Sequence, residues 1–173
     1  MTATFSHLAL TVENLEPVAA FYVGVFGFSA SEHPYVGRGR RLAQVMEVPH
    51  AQLRGIFLRK DGFCLELLEY ASAHRARPLP IADDDMGFCH LSFVVDDIDA
   101  IAALIAAHGG EYRANTCAEF AFAGGGVTDI AFCVDPEGNR IELIRHHDST
   151  SREAHGEFLG ANELGWPVGL PQD

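Results

Sequence analysis

The sequence predicts an α+β fold built from two βαβββ modules, and two observations carry that prediction. The first is an internal repeat: "SHLALTVENLEPVAAFY" (Ser6 to Tyr22) lies over "CHLSFVVDDIDAIAALI" (Cys89 to Ile105), with His7 on His90, Leu8 on Leu91, Val12 on Val95 and Ala19-Ala20 on Ala102-Ala103. The second is the way each copy closes. "DGFCLELL" from Asp61 matches "EGNRIELI" from Glu137, which places Glu66 on Glu142. Both closing segments alternate as strands do, and each carries a carboxylate among aliphatic neighbours.

Taken in order, each copy opens with an alternating strand. That strand runs into an Asx-containing cap region (Asn14 in the first copy, Asp96 and Asp97 in the second) and then into an apolar-periodic helix that stops at glycine, Gly27 or Gly109-Gly110. "RLAQVMEV" and "AQLRGIFLRK" are the expected second and third strands of the first module. "GEYRA" and "VTDIAFCVD" take those places in the second, followed by a turn at "DPEG" (Asp135 to Gly138). The expected organisation is an N-terminal module over residues 1–70, a linker rich in Pro, Ala and charge over 71–87, a C-terminal module over 88–147 and a glycine-rich, loosely structured tail over 148–173.

Composition narrows the function. A chain of 173 residues with 48% hydrophobic content is long enough for one buried domain or two small modules sharing a core. Its net charge of −12 repels phosphate backbones and anionic lipid surfaces, which argues against nucleic acid or a membrane as partner. Cys64, Cys89, Cys117 and Cys133 fall singly in apolar runs, as buried thiols of a reducing compartment would. With no basic segment followed by an apolar one at the start, and no apolar run near the ~18 residues of a membrane span, a cytoplasmic protein is expected.

Period-two geometry then orients four side chains. His7 shares its strand face with Phe5, Ala9 and Thr11, and His90 shares its face with Phe88, Ser92 and Val94, while the aliphatic residues between them turn the other way. If the modules curve alike about a pseudo-twofold axis, His7, Glu66, His90 and Glu142 converge in a trough between the curved mixed sheets. Two neutral imidazoles and two carboxylates suit one divalent metal per site, Ni, Co, Zn, Mn or Fe, with water or substrate in the remaining positions. A metal would also account for carboxylates buried without another partner.

The stretches "HLALTVENLEPVAAFYVGVFGF", "LELLEY", "CHLSFVVDDIDA" and "DPEGNRIELI" together resemble the vicinal oxygen chelate superfamily of glyoxalases, bleomycin resistance proteins and extradiol dioxygenases, over roughly residues 5–146. The ligand pattern is most similar to that of glyoxalase I and methylmalonyl-CoA epimerase. The resemblance implies paired βαβββ modules cradling a metal, with His7, Glu66, His90 and Glu142 as its four ligands. An acidic fourth ligand, Glu66, leans towards lyase or isomerase chemistry: proton transfer next to a metal-bound carbonyl of a small-molecule substrate, with Glu142 or Glu66 as the base. The competing readings are an Fe(II)-dependent dioxygenase and a non-enzymatic antibiotic-binding resistance protein.

Some features stand apart from that pattern. The epimerase would want an acid near Gln44 on the second strand, and Glu47 would project to the opposite face of a regular strand. Arg38, Arg40 and Arg41 read as solvated loop charges rather than an anion clamp. "AGGGVTD" (123–129) reads as a flap near the site, since no lysine and no capped helix follow it. A homodimer is expected, with the site either inside one chain or shared between two.

Overall fold

The computed structural model of the chain describes residues 2–71, 86–121 and 125–153. The linker expected over 71–87 and the tail expected over 148–173 lie largely outside these residues, as do Gly156, Gly160, Gly165 and Pro167.

Each half forms one mixed sheet. In the first, β1 (Leu8–Val12) runs parallel to β5 (Phe63–Tyr70), β5 pairs antiparallel with β4 (Gln52–Lys60), and β4 carries both β2 (Ser29–Ala30) and β3 (Tyr35–Arg38) on its far edge. In the second, β6 (Leu91–Val94) runs parallel to β9 (Arg140–His146), followed by β8 (Val127–Val134) and the bulged β7 (Glu111–Ala121). Helices α1 (Leu15–Phe26) and α3 (Ile98–Ala107) make the crossovers between the parallel strands, so each half has the βαβββ order that the repeat predicts.

One segment differs. "RLAQVMEV", expected as a strand, contains the short helix α2 (Arg40–Val45), with no buried residue, and Glu47 follows it at φ 53°. Its place in the sheet is taken by β2 and β3, and Gln44 is therefore helical. An exposed one-and-a-half-turn helix has no core face to impose a 3.6-residue period, which is why its pattern misleads.

A single core joins the halves. Leu8, Leu10 and Val12 of β1 and Leu65 and Leu67 of β5 meet α1, while Leu91 and Phe93 of β6 and Ile141 and Leu143 of β9 belong to the same cluster, together with Ile105 of α3. Phe26 of α1 stacks on Phe93 at a centroid distance of 4.1 Å, a contact worth about 0.5–1.5 kcal/mol beyond its buried area. Gly24 lets the helices close up, because a Cβ there would lie 2.1 Å from Nε2 of His108.

Polar contacts reinforce the joint. Asn14 makes no side-chain cap on α1. The carboxylate of Glu137, from the other half, instead accepts the backbone N–H groups of Glu13 (2.7 Å) and Asn14 (2.7 Å), and Glu69 accepts that of Leu15 at 2.9 Å. Two acids thus sit at the positive end of the helix. On α3 the expected cap forms locally, with Asp97 accepting from the Ala100 N–H at 3.0 Å. Asp135, in the predicted turn, is buried and accepts from Asn139 and from the Tyr22 hydroxyl, and burial pushes its carboxyl above the ordinary value.

Cys133 is buried, whereas Cys89 and Cys117 are exposed and Cys64 is intermediate; the expectation of four buried thiols fails because Cys89 precedes its strand and Cys117 lies on the bulged edge strand β7. Among the described residues no helix is long and apolar enough to cross a membrane. Beyond β9 the backbone from 149 to 153 is helical, and Ser151 there is buried.

Two outcomes follow from these contacts. Glu137→Ala should lower the unfolding free energy by about 1–2 kcal/mol, as loss of a helix cap does, measured by urea unfolding; an unchanged midpoint would mean that the cross-module cap contributes nothing. The second concerns acid. Burial raises the Glu69 carboxyl, but the Arg54 guanidinium at 2.7 Å and the Leu15 N–H outweigh it and hold it below its ordinary 4.5. Its contribution is therefore present above that value and is lost as pH falls further. The stability gap between wild type and Arg54→Met should stay constant above about pH 6 and narrow towards about pH 3; a gap of constant width would contradict the assignment.

Candidate metal centre

Register places Glu66 at the middle of the first sheet, beside Ala9 of β1 and Phe57 of β4. Its neighbours Leu65 and Leu67 point into the core, so Glu66 faces the reverse side. It is nonetheless only 9% exposed. A carboxylate so placed needs partners, and both oxygens have one: Oε2 lies 3.2 Å from Nε2 of His7, and Oε1 accepts the Tyr35 hydroxyl at 2.6 Å. His7 sits just ahead of β1, its ring edge against Phe57 and its Nδ1 3.0 Å from the Ser6 hydroxyl. Burial first, then the Glu66 carboxylate, raises the Tyr35 phenol above its ordinary value, which keeps it a donor.

The second half repeats the arrangement with different support. Glu142 pairs in register with Ser92 and Phe132. Its Oε2 lies 3.6 Å from Nε2 of His90 and accepts the Ser92 hydroxyl at 2.7 Å. His90 packs its edge on Phe132 as His7 does on Phe57, and its Nδ1 is 3.1 Å from Sγ of Cys89. Among the described residues Oε1 of Glu142 makes no hydrogen bond.

The structure thus brings His7 to Glu66 and His90 to Glu142 but does not bring the two pairs together. On each sheet the pair lies on the face opposite the strand's core residues. Among the described residues the four side chains expected in one trough do not gather within 4.8 Å of one another. Among the described residues the one group of three potential ligands is Glu119, Asp129 and His147, which the sequence analysis did not single out. Asp129 in that group is already neutralised: Arg145 donates to its Oδ2, and Nε2 of His147 lies 3.0 Å from the same atom. Burial raises the Asp129 carboxyl, and the hydrogen bonds from His147 and Arg145 with the Arg145 charge more than reverse the rise, as in an internal ion pair.

Beside His7 a cavity of about 640 Å³ is lined by Phe57, Arg59, Lys60 and Cys64, with the hydroxyls of Ser6 and Ser29. Lys60 pairs with Asp61, whereas Arg59 lies over the Phe57 ring at 5.7 Å with no carboxylate partner among the described residues. Arg38, Arg40 and Arg41 are exposed. His146 holds its Nδ1 3.0 Å from the buried Thr128 hydroxyl. Residues 123 and 124 of the expected flap lie outside the described residues, while Gly125 and Gly126 have positive φ.

Sheets built as βαβββ units and carrying one histidine–glutamate pair apiece define a two-module scaffold of repeated sites. The chain belongs to the glyoxalase/bleomycin resistance protein/dioxygenase superfamily, whose family model matches residues 4–143. A probable lactoylglutathione lyase of Vibrio parahaemolyticus is 41% identical over 69 residues, 39% of this chain and 47% of that relative, so the match spans about half of the relative's length. A glyoxalase family protein from Bacillus cereus has a similar structure, with a TM-score of 0.70 at 16% identity, covering 84% of this chain and 95% of that one. The fosfomycin resistance protein FosX from Listeria monocytogenes, solved with manganese(II) and sulfate, gives 0.50 at 16% identity over 84% of this chain and 93% of its own. At these identities the structural likeness is one of fold.

The Asp129 cluster yields a prediction of its own. Asp129→Asn should cost about 1.5–3 kcal/mol of stability, the range for hydrogen bonds to charged groups, and should leave divalent-metal affinity unchanged in a calorimetric titration. A large loss of affinity would make this cluster the metal site.

Proposed function

We propose that the protein is a divalent-metal-dependent enzyme, of lyase or isomerase type, that transfers a proton next to a carbonyl of a small-molecule substrate. The observation that carries this reading is the duplicated pair, with nitrogen and oxygen 3.2 Å apart in one half and 3.6 Å in the other. Two donors bound side by side to a first-row ion, each about 2.0–2.2 Å from it, lie about 3 Å apart, so each pair fits half of a coordination sphere. His7, Glu66, His90 and Glu142 would hold the ion, and manganese in FosX supports a divalent one. When bound, such an ion supplies Lewis-acid polarisation of a carbonyl oxygen.

The chain's own residues supply the rest. The cavity beside His7 receives the body of the substrate, and its phenylalanine wall excludes water from one side. Arg59 is available there for an anionic group. Glu142 and Glu66 are the two candidate bases, and their unequal fixation favours Glu142: among the described residues Oε1 of Glu142 accepts no hydrogen bond, whereas both oxygens of Glu66 are engaged.

The outward-facing pairs favour a homodimer in which the first sheet of one subunit faces the second sheet of its partner. His7→Ala and His90→Ala should each abolish tight metal binding alone, because one of four ligands is lost. Co-refolding the two variants decides the geometry: random pairing makes about half the dimers mixed, and each mixed dimer regains one intact site of its two, so about one site in four recovers. Metal quantification after gel filtration reads this directly. No recovery would place each site within one chain, and no metal uptake by wild type would remove the reading altogether.

A further inference from the structure

We infer that Tyr35 is a positioning residue for Glu66, and that glycine at position 55 is what allows it to be one. The inference rests on the metal reading above and adds the means by which one of its carboxylates is aimed.

Tyr35 lies on β3, two strands away from Glu66, and its Cα partner on the intervening β4 is Gly55. The ring crosses β4 at that point. It stacks on Phe57, with centroids 5.7 Å apart and planes 25° from parallel, and ends with its hydroxyl 2.6 Å from Oε1 of Glu66. A Cβ built on Gly55 would lie 2.3 Å from Cζ and 2.4 Å from Oη of Tyr35. No side chain fits there with the ring in place. Glycine inside a paired strand ordinarily weakens it and often marks a close approach; here the approaching group is a phenol on its way to the site.

A glutamate on a strand can present either oxygen. With Oε1 held by Tyr35, the oxygen left facing His7 is Oε2, at 3.2 Å. The carboxylate is thus oriented before any ligand arrives, which lowers the ordering cost of binding. The other half has no phenol in this role. There Ser92, at the position that Ala9 holds in the first copy, donates to the same oxygen that faces His90.

The test uses Co²⁺ as the probe, with calorimetry and the visible d–d spectrum as readouts, on wild type, Tyr35→Phe, Gly55→Ala and the double variant. Tyr35→Phe should weaken Co²⁺ affinity by about tenfold or more, the range for a group that orients a ligand. Gly55→Ala keeps the hydroxyl in the chain but displaces the ring, and should weaken it similarly. The double variant should be no worse than the weaker single one, because both act through one bond. Urea unfolding of the metal-free proteins provides the control: Tyr35→Phe and Glu66→Gln should show a coupling, confirming the bond without metal. Tyr35→Phe affinity within twofold of wild type, or multiplying losses in the double variant, would overturn the positioning role while leaving the metal reading intact. Absence of coupling in the metal-free cycle would overturn it as well. Failure of wild type to bind Co²⁺ would instead remove the metal reading and this role with it, even if the coupling shows that the bond exists.

Discussion

The arrangement of this protein depends on two helices sharing one apolar core. Neither βαβββ half buries its helix alone: Phe26 of α1 needs Phe93 of β6, and Ile105 of α3 belongs to the same cluster as Leu65 and Leu67 of β5. Once the helices lie between the sheets, strand alternation leaves no freedom over where the remaining side chains go. Every residue next to a core residue on β1, β5, β6 or β9 faces outward. The face on which each histidine–glutamate pair sits is therefore set by the hydrophobic packing of its own strands.

That constraint accounts for the odd environment of Glu66. The outer face of a central strand would be open to water in a monomeric antiparallel sheet, yet Phe57, Tyr35 and Leu68 enclose this carboxylate until little of it is exposed. In a chain carrying a net charge of −12, a half-enclosed anion is expensive unless donors or cations surround it. One phenol and one imidazole do so. The pair is therefore stable as it stands and still offers a nitrogen and an oxygen to an incoming cation.

Much of this was legible in the sequence. Residues His7 and His90 head matched strands, and Glu66 and Glu142 sit at matched places in the closing strands, so the repeat and period-two geometry pair each histidine with its glutamate. What they do not give is the side on which the two pairs fall relative to one another, since that depends on how the helices pack together. A pseudo-twofold axis within one chain would put all four residues in one trough, and among the described residues they do not gather within 4.8 Å of one another. The α2 segment was misread for lack of a buried face, and exposed Cys89 and Cys117 were misread because apolar neighbours do not fix the side to which a residue turns. Tyr35 escaped notice for a different reason: its partner is two strands away, and only the β3–β4 register connects them. Gly55, interrupting "QLRGIFLRK", was the one available signal, and a strand glycine says that something approaches without saying what.

The support residues matter because the repeat is symmetric in its histidine and glutamate and asymmetric in what stands behind them. Histidine, glutamate and the phenylalanine under the histidine all recur. Behind Glu66 stands a phenol bonded to the oxygen turned away from its histidine, while behind Glu142 stands a serine bonded to the oxygen turned towards it. The first arrangement fixes a carboxylate in its place facing the histidine. In the second the facing oxygen has an alternative partner and, among the described residues, the other oxygen accepts no hydrogen bond, so the carboxylate can change its engagement without leaving a donor unsatisfied. Two chemically identical groups thereby acquire different tasks from their neighbours alone, as carboxylates in one site commonly do when one must stay put and the other must exchange a proton.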